Sequence, residues 1–283
     1  MPELPEVETI RLGLQKYLVG HKITDVEVKL PKIISGDTKN IIGAKFISVE
    51  RYGKGLVINL ENGYSIAIHI KLTGQLIYND LVFVKNRNIN ISKQKVGNLP
   101  NKFTHVIFKL DKGAFLYYND MRRFGWIKII KTADLKTLAF FKDMGPEPFK
   151  DLTLEKFQDM LSKSSIAVKV LIMDQKKIGG VGNIYANDAL FMAGIDPRRK
   201  AKELSKDETK KLFQAILEVL KNGLKYGGAS ELTYVNALGE EGGYQNHFLV
   251  YGKDGKPCSK DGTIIKKFFL GGRGTYFCSA CQR

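Results

Sequence analysis

A change of period half-way along the chain restricts the fold more than any other feature. It falls at Gly145-Pro146-Glu147-Pro148. Before this point, apolar residues come in short runs, and Ile66, Ile68 and Ile70 alternate with Ser65, Ala67 and His69. A period of two is that of a half-buried strand. After it, apolar residues recur every three or four positions, the period of an amphipathic helix. A chain that reads strands first and helices second needs two cores, an α+β organisation, and 283 residues are enough for both.

Eight strands are predicted over 23–28, 45–51, 56–60, 66–70, 75–78, 105–110, 114–118 and 126–130. They are β-branched or aromatic and separated by Gly, Asn and Asp turns, as in an antiparallel sandwich or flattened barrel. The polar, basic stretch 84–102 reads as a mobile surface loop. An amphipathic helix precedes the strands from Pro5 to about Leu18, with Val7, Ile10 and Leu14 on one face. Beyond the break, helical segments are predicted over 153–163 and 166–174, and a further helix opens at Asn183 after Gly179-Gly180-Val181-Gly182. Such a glycine-rich helix start offers free backbone N–H groups to a phosphate. Ser205-Lys206-Asp207-Glu208 is a capping box. The helix it opens carries Leu212, Phe213, Ile216, Leu217, Leu220 and Leu224 as its buried stripe and ends at Gly227-Gly228. The implied domains are 1–131, a connector 132–150, 151–247 and a small module 248–283.

Charge points to the partner. Lys and Arg total 45 against 29 Asp and Glu, a net +16. That imbalance favours a polyanion, nucleic acid before anionic membrane. No apolar run is long enough to cross a bilayer, and no secretory start is present, so a soluble intracellular protein is expected. The turn Arg122-Arg123-Phe124 joins phosphate-seeking charge to an aromatic wedge, and equally suits a turn whose Phe packs inward.

All three cysteines, Cys258, Cys278 and Cys281, lie in the last 26 residues. Cys258-x2-Asp261 and Cys278-x2-Cys281 flank 16 residues, and an odd, clustered set suits a metal better than disulfides. The pattern is that of a zinc ribbon with Asp261 in place of one cysteine, and a carboxylate is an allowed zinc ligand. Phe268-Phe269-Leu270 and Thr275-Tyr276-Phe277 supply the hairpin strands, with 271–274 as the turn.

Met1-Pro2-Glu3-Leu4-Pro5-Glu6 opens the chain. Removal of Met1 would leave a secondary amine on Pro2. An α-amino group has a pKa near ~7.7–8, so part of it is unprotonated at neutral pH. Such an amine attacks carbonyl-level carbon to give an iminium, a good electron sink. Glu3 beside it can move a proton. With Met1 retained, the Pro2 nitrogen is an amide and this chemistry is blocked.

Taken in order, these motifs resemble the formamidopyrimidine-DNA glycosylases, bacterial repair enzymes for oxidised purines. The resemblance rests on Pro2-Glu3-Leu4-Pro5-Glu6-Val7-Glu8-Thr9, the Gly53-Lys54-Gly55 turn, Asp120-Met121-Arg122-Arg123-Phe124-Gly125 and Gly145-Pro146-Glu147-Pro148. It continues through Gly180-Val181-Gly182-Asn183-Ile184-Tyr185-Ala186 and Gly272-Arg273-Gly274. The sister endonuclease VIII family shares the start but usually has Gly where this chain has Leu4.

The resemblance implies a β-sandwich joined to a helix-two-turn-helix domain with a zinc finger, and damaged double-stranded DNA in the cleft between them. It implies a cytoplasmic, nucleoid-associated monomer. Pro2 would be the Schiff-base nucleophile, Glu3 the acid that opens the sugar, and Lys54 an aid to β-elimination. Arg273 would grip phosphate with Asn183 and support δ-elimination. Leu72, Arg122 and Phe124 would fill the gap left by the extruded base. Glu6, His105, Arg123, Lys163, Lys169 and Tyr244 complete the expected DNA-binding set, and 237–244 resembles the loop that closes over the lesion. One structural zinc is expected, and no catalytic metal. The chain departs from the pattern at Leu72 for Met, Phe103 for His, Ser164-Ser165 for lysines and Asp261 for Cys. A non-catalytic damaged-DNA-binding protein is the alternative of a different class.

Overall fold

The computed structural model describes residues 1–80 and 91–283. Residues 84–90 of the expected surface loop lie outside them. The described residues form two compact units, Met1–Lys142 with Leu224–Gln245, and Asp143–Gly223 with Asn246–Arg283.

The first unit is a sandwich headed by helix α1 (Leu4–Tyr17). One sheet has the order β1-β7-β8-β6, with β1 Ile23–Val28, β6 Gly74–Asn79, β7 Thr104–Leu110 and β8 Phe115–Asp120. The other has the order β2-β9-β5-β4-β3, with β2 Ile34–Ser35, β3 Phe46–Tyr52, β4 Gly55–Leu60, β5 Tyr64–His69 and β9 Trp126–Lys131. All eight predicted strands are present. β2 is an addition of two residues, too short for any period, and it runs parallel to β9. Val7, Ile10 and Leu14 of α1 join Ile58, Ile66, Leu76 and Phe108 in one core.

Residues 224–245 were expected with the helical domain and pack instead on the sandwich. Tyr234 and Ala237 belong to its core, and Ala237 O accepts the Tyr78 N–H at 2.8 Å. The helical period stops at Gly227-Gly228, where φ turns positive at both glycines and the chain leaves the helix direction. Residues 91–102 are also anchored rather than loose. Val96 packs with Ile77 and Val235, and Ser92 N–H reaches Gly239 O at 2.9 Å.

The second unit holds helices α2 (Leu154–Ser162), α3 (Val168–Met173), α4 (Asn183–Ala193) and most of α5 (Lys206–Lys225), then the hairpin β10 (Lys266–Leu270) and β11 (Arg273–Phe277). The capping box forms: Ser205 N–H donates to Glu208 Oε2 at 2.8 Å, and Glu208 N–H to Ser205 Oγ at 3.2 Å. The hairpin turn is tighter than expected. Gly271 and Gly272 alone make it, with φ of 56° and 72°, a two-residue turn that strongly favours glycine. Arg273 is therefore the first residue of β11. Among the described residues, no helix is long and apolar enough to cross a membrane.

Candidate active site and nucleic-acid interface

In the first unit the N-terminus is fixed by one carboxylate. Glu6 is 1% exposed; its Oε2 accepts the Glu3 N–H at 2.7 Å, and its Oε1 accepts the Ala229 N–H at 2.8 Å. The head of α1 is thus tied to the 224–245 segment. Pro2 and Glu3 are buried there, and Met1 is 40% exposed. Free chain termini fray; this one is held by the Glu6 carboxylate.

Lys54 is buried in the turn between β3 and β4. Arg51 holds that turn, with Nη1 donating to Gly53 O at 3.0 Å and Nε to Glu8 Oε2 of α1 at 2.9 Å. His69 lies at the end of β5, and Lys71 N–H donates to its Nδ1 at 3.0 Å. Burial, then the charges of Lys71 and Lys54, lower the His69 pKa to about 3. The imidazole is neutral at physiological pH.

Two surface loops meet on a single buried carboxylate. Asp120, at the end of β8, accepts Thr73 Oγ1–H at 2.5 Å, Gly125 N–H at 2.8 Å and Arg122 N–H at 3.2 Å. Arg122 N–H also lies 2.9 Å from Thr73 Oγ1. The tip carrying half-buried Leu72 and the turn carrying Arg122, Arg123 and Phe124 are therefore one braced structure. Phe124 is 57% exposed, and the Arg122 guanidinium stacks 4.8 Å from its ring. The inward packing left open by the sequence does not occur. A Cβ at Gly125 would stand 1.9 Å from the Tyr118 hydroxyl, so the motif must end in glycine.

In the second unit, Arg273 is exposed beside the hairpin turn and Asn183 is half-buried in the first turn of α4. Lys169 is fully buried, and its Nζ donates to Gly274 O at 2.9 Å and Thr275 Oγ1 at 2.8 Å. Lys163 is exposed and pairs with Asp159 at 2.5 Å. Of the residues expected at a DNA surface, Glu6, His105, Lys169 and Tyr244 are instead interior. His105 Nε2 lies 2.8 Å from Asp120 O, so it braces the same turn from beneath. Side-chain type alone does not distinguish a charge that meets phosphate from one that meets a buried carbonyl.

Cys258, Asp261, Cys278 and Cys281 bring their ligand atoms within 4.8 Å of one another. The Cys258 and Cys281 sulfurs are 3.8 Å apart, and Asp261 Oδ2 is 3.2 Å from the Cys281 sulfur. Two thiolates bound tetrahedrally at ~2.3 Å would stand ~3.8 Å apart, so the donor set fits a zinc-sized ion.

Residues 1–127 match the formamidopyrimidine-DNA glycosylase N-terminal domain, and residues 144–234 match the helix-two-turn-helix domain of the same enzymes. The chain belongs to the formamidopyrimidine-DNA glycosylase family. It is 38% identical to the Streptococcus mutans formamidopyrimidine-DNA glycosylase over the full length of both chains. It is 40% identical to that of Pelotomaculum thermopropionicum over 100% of this chain and 99% of the relative. Among solved structures it resembles the Lactococcus lactis Fpg bound to DNA containing an abasic site. There the TM-score is 0.88 at 32% identity, covering 99% of each chain. It also resembles the Lactococcus lactis enzyme bound to N7-benzyl-Fapy-dG DNA, at a TM-score of 0.87, 32% identity and full coverage of both chains.

Three residues escaped the sequence reading. In the sequence His69 is only one polar position of an alternating strand. Asp120 was read as part of a motif and not as its brace. Asn187, whose side chain joins α4 to the hairpin, gave no signal beyond its i+4 spacing from Asn183.

Proposed function

We propose that this protein is a bifunctional DNA glycosylase and abasic-site lyase. It removes 8-oxoguanine and formamidopyrimidines from double-stranded DNA and then cuts the strand by β,δ-elimination. The observation that carries the reading is the clamped N-terminus, with Pro2 and Glu3 buried and Glu6 bonded across to Ala229. A protein that only bound DNA would not need a fixed Pro2 amine.

The base must leave the stack before C1′ is accessible, at a cost of about a few kcal/mol. Leu72 and Phe124 fill the gap, and the planar fork of Arg122 meets the orphaned partner base. With Met1 removed, the Pro2 nitrogen lone pair forms a bond to C1′ as the glycosidic pair leaves with the base, and the proton on that nitrogen passes to the departing base. Glu3 donates a proton to the ring oxygen and the sugar opens. The resulting iminium acidifies C2′–H, loss of that proton expels the 3′ phosphate, and a second elimination expels the 5′ phosphate. Lys54 assists the first elimination. Asn183 and Arg273 hold the flanking phosphates, and the Asn183 contribution draws on the helix N-terminus. Lys163 and Arg123 add non-specific attraction.

Cys258, Asp261, Cys278 and Cys281 would hold one zinc ion, whose contribution is to fix the hairpin that carries Arg273. A unit this small is not expected to hold its shape unaided.

Excision assays on three duplexes test the assignment, with 8-oxoguanine, a formamidopyrimidine or an oxidised pyrimidine at one position. Faster release of both purine lesions supports it. Preference for the pyrimidine would place the chain with the endonuclease VIII activity, and binding without release would make it a non-catalytic damage reader.

A further inference from the structure

The hairpin β10–β11 is a two-stranded sheet, so β11 has a free edge. A free edge exposes unpaired backbone groups unless something covers it. Side chains from two helices do so here. Lys169 of α3 donates to Gly274 O, and Asn187 of α4 accepts the Tyr276 N–H on its Oδ1 at 2.8 Å. Gly274 and Tyr276 are two residues apart and present these groups on the same edge. The helices stand where a third strand would be.

Asn187 reaches the phosphate-binding end of α4 as well. It is 1% exposed and lies one turn after Asn183. Its Nδ2 donates to Asn183 O at 2.6 Å and lies 3.2 Å from Asn183 Oδ1 and 3.5 Å from Gly274 O. A side-chain amide has two donor hydrogens and an acceptor oxygen, and this one uses both ends. The Asn183 oxygen is the atom that faces Asn187, so its NH2 group is the one left to meet an anion. Arg273 is the residue next to Gly274, where this docking fixes the backbone.

We propose that Asn187 is a positioning residue. Its amide sets the spacing between Asn183 and Arg273, so that the two act as one phosphate clamp. The proposal rests on the reading of those two residues as phosphate-gripping. Asn187 itself touches no DNA; its effect passes through Arg273.

The test uses the full-length, zinc-loaded protein and a duplex carrying a tetrahydrofuran abasic analogue, titrated over a series of salt concentrations. The variants are Arg273→Ala, Asn187→Leu, the double variant and Asn187→Asp. Losing one phosphate contact lowers the salt slope by about 0.9. Arg273→Ala is expected to weaken binding about tenfold with that loss of slope, by the same counterion argument. Asn187→Leu is expected to weaken it about fivefold with a slope change in the same direction, since coupled neighbours are non-additive. The double variant then binds no more weakly than Arg273→Ala alone. Asn187→Asp keeps an oxygen for the Tyr276 N–H but sets a second acceptor against Asn183 O in place of the amide donor, so it is expected to recover none of the loss. Zinc content and melting temperature are measured alongside, and Asn187→Ala replaces the Leu variant if that one does not fold. Full additivity, or wild-type binding by the Asn187 variants while Arg273→Ala is weakened, overturns the brace alone. Unchanged affinity and slope in Arg273→Ala would remove the finger reading and the brace with it.

Discussion

Asp120→Ala separates the architecture of the wedge from the chemistry beneath it. The carboxylate is fully buried and serves Thr73 Oγ1–H, Gly125 N–H and Arg122 N–H. Arg122 N–H keeps Thr73 Oγ1 as a second acceptor, but the other two donors lose theirs. A buried donor left without an acceptor costs about 1–3 kcal/mol, so the pair costs about 2–6 kcal/mol, and water entering the void brings this to about 3 kcal/mol. Asp120→Asn is milder. Its oxygen can keep Gly125 N–H while its amide donates to the Thr73 hydroxyl, which leaves about one hydrogen bond, or about 1 kcal/mol, missing. Denaturant unfolding measures both values. The functional readout is single-turnover excision of 8-oxoguanine beside incision of a duplex with a preformed abasic site. In the proposed mechanism the Leu72 tip and the Phe124 turn hold the stack open while the base leaves, so Asp120→Ala should slow excision about tenfold more than abasic incision. Equal loss in both assays, or a stability change under about 0.5 kcal/mol, would refute the brace, because surface changes stay within that range.

Three further outcomes follow from the same structure. His69 has a folded-state pKa near 3 against an ordinary 6.5, so the unfolded chain binds a proton there that the folded one does not. Its neutral form is fully stabilising above pH 6.5, and stability falls as pH drops from there towards 3; His69→Gln should flatten that acid limb in unfolding curves. Asp261→Cys should slow zinc loss to a chelator, because a thiolate replaces an exposed carboxylate in the ligand set; equal release rates would exclude Asp261 as a ligand. Correctly processed Pro2→Gly should lose most base excision yet still bind abasic-site DNA, and undiminished excision would remove Pro2 from the nucleophile role.

Local features were legible in the sequence to within a residue or two. The strand over 23–28 matches β1 at both ends, and the Ser205–Glu208 cap forms as its spacing requires. Short-range chemistry fixes such features, and short windows contain it. What the sequence did not show are the buried polar hubs. The Glu6–Ala229 bond spans 223 residues, and the bond from Asn187 to Tyr276 spans 89. Neither end carries a mark of its partner, and periodicity reports burial of apolar groups only. For the same reason the interior positions of Lys169 and His105 leave no mark in the sequence, although each supports a loop or strand from inside. The 224–245 segment packs with the sandwich core, and its apolar residues have no period to say which surface they cover. The motif residues themselves were legible because several stand in a fixed order.

The central claim is that the Pro2 nitrogen becomes bonded to C1′ of a damaged nucleotide. Borohydride reduction would trap that bond on a duplex with one 8-oxoguanine opposite cytosine, with N-terminal mass analysis of the same protein and an abasic-site duplex run alongside. The account predicts a covalent adduct on protein lacking Met1, mapping to Pro2, with both duplexes. Protein confirmed to begin at Pro2 that gives no adduct with either duplex would contradict it.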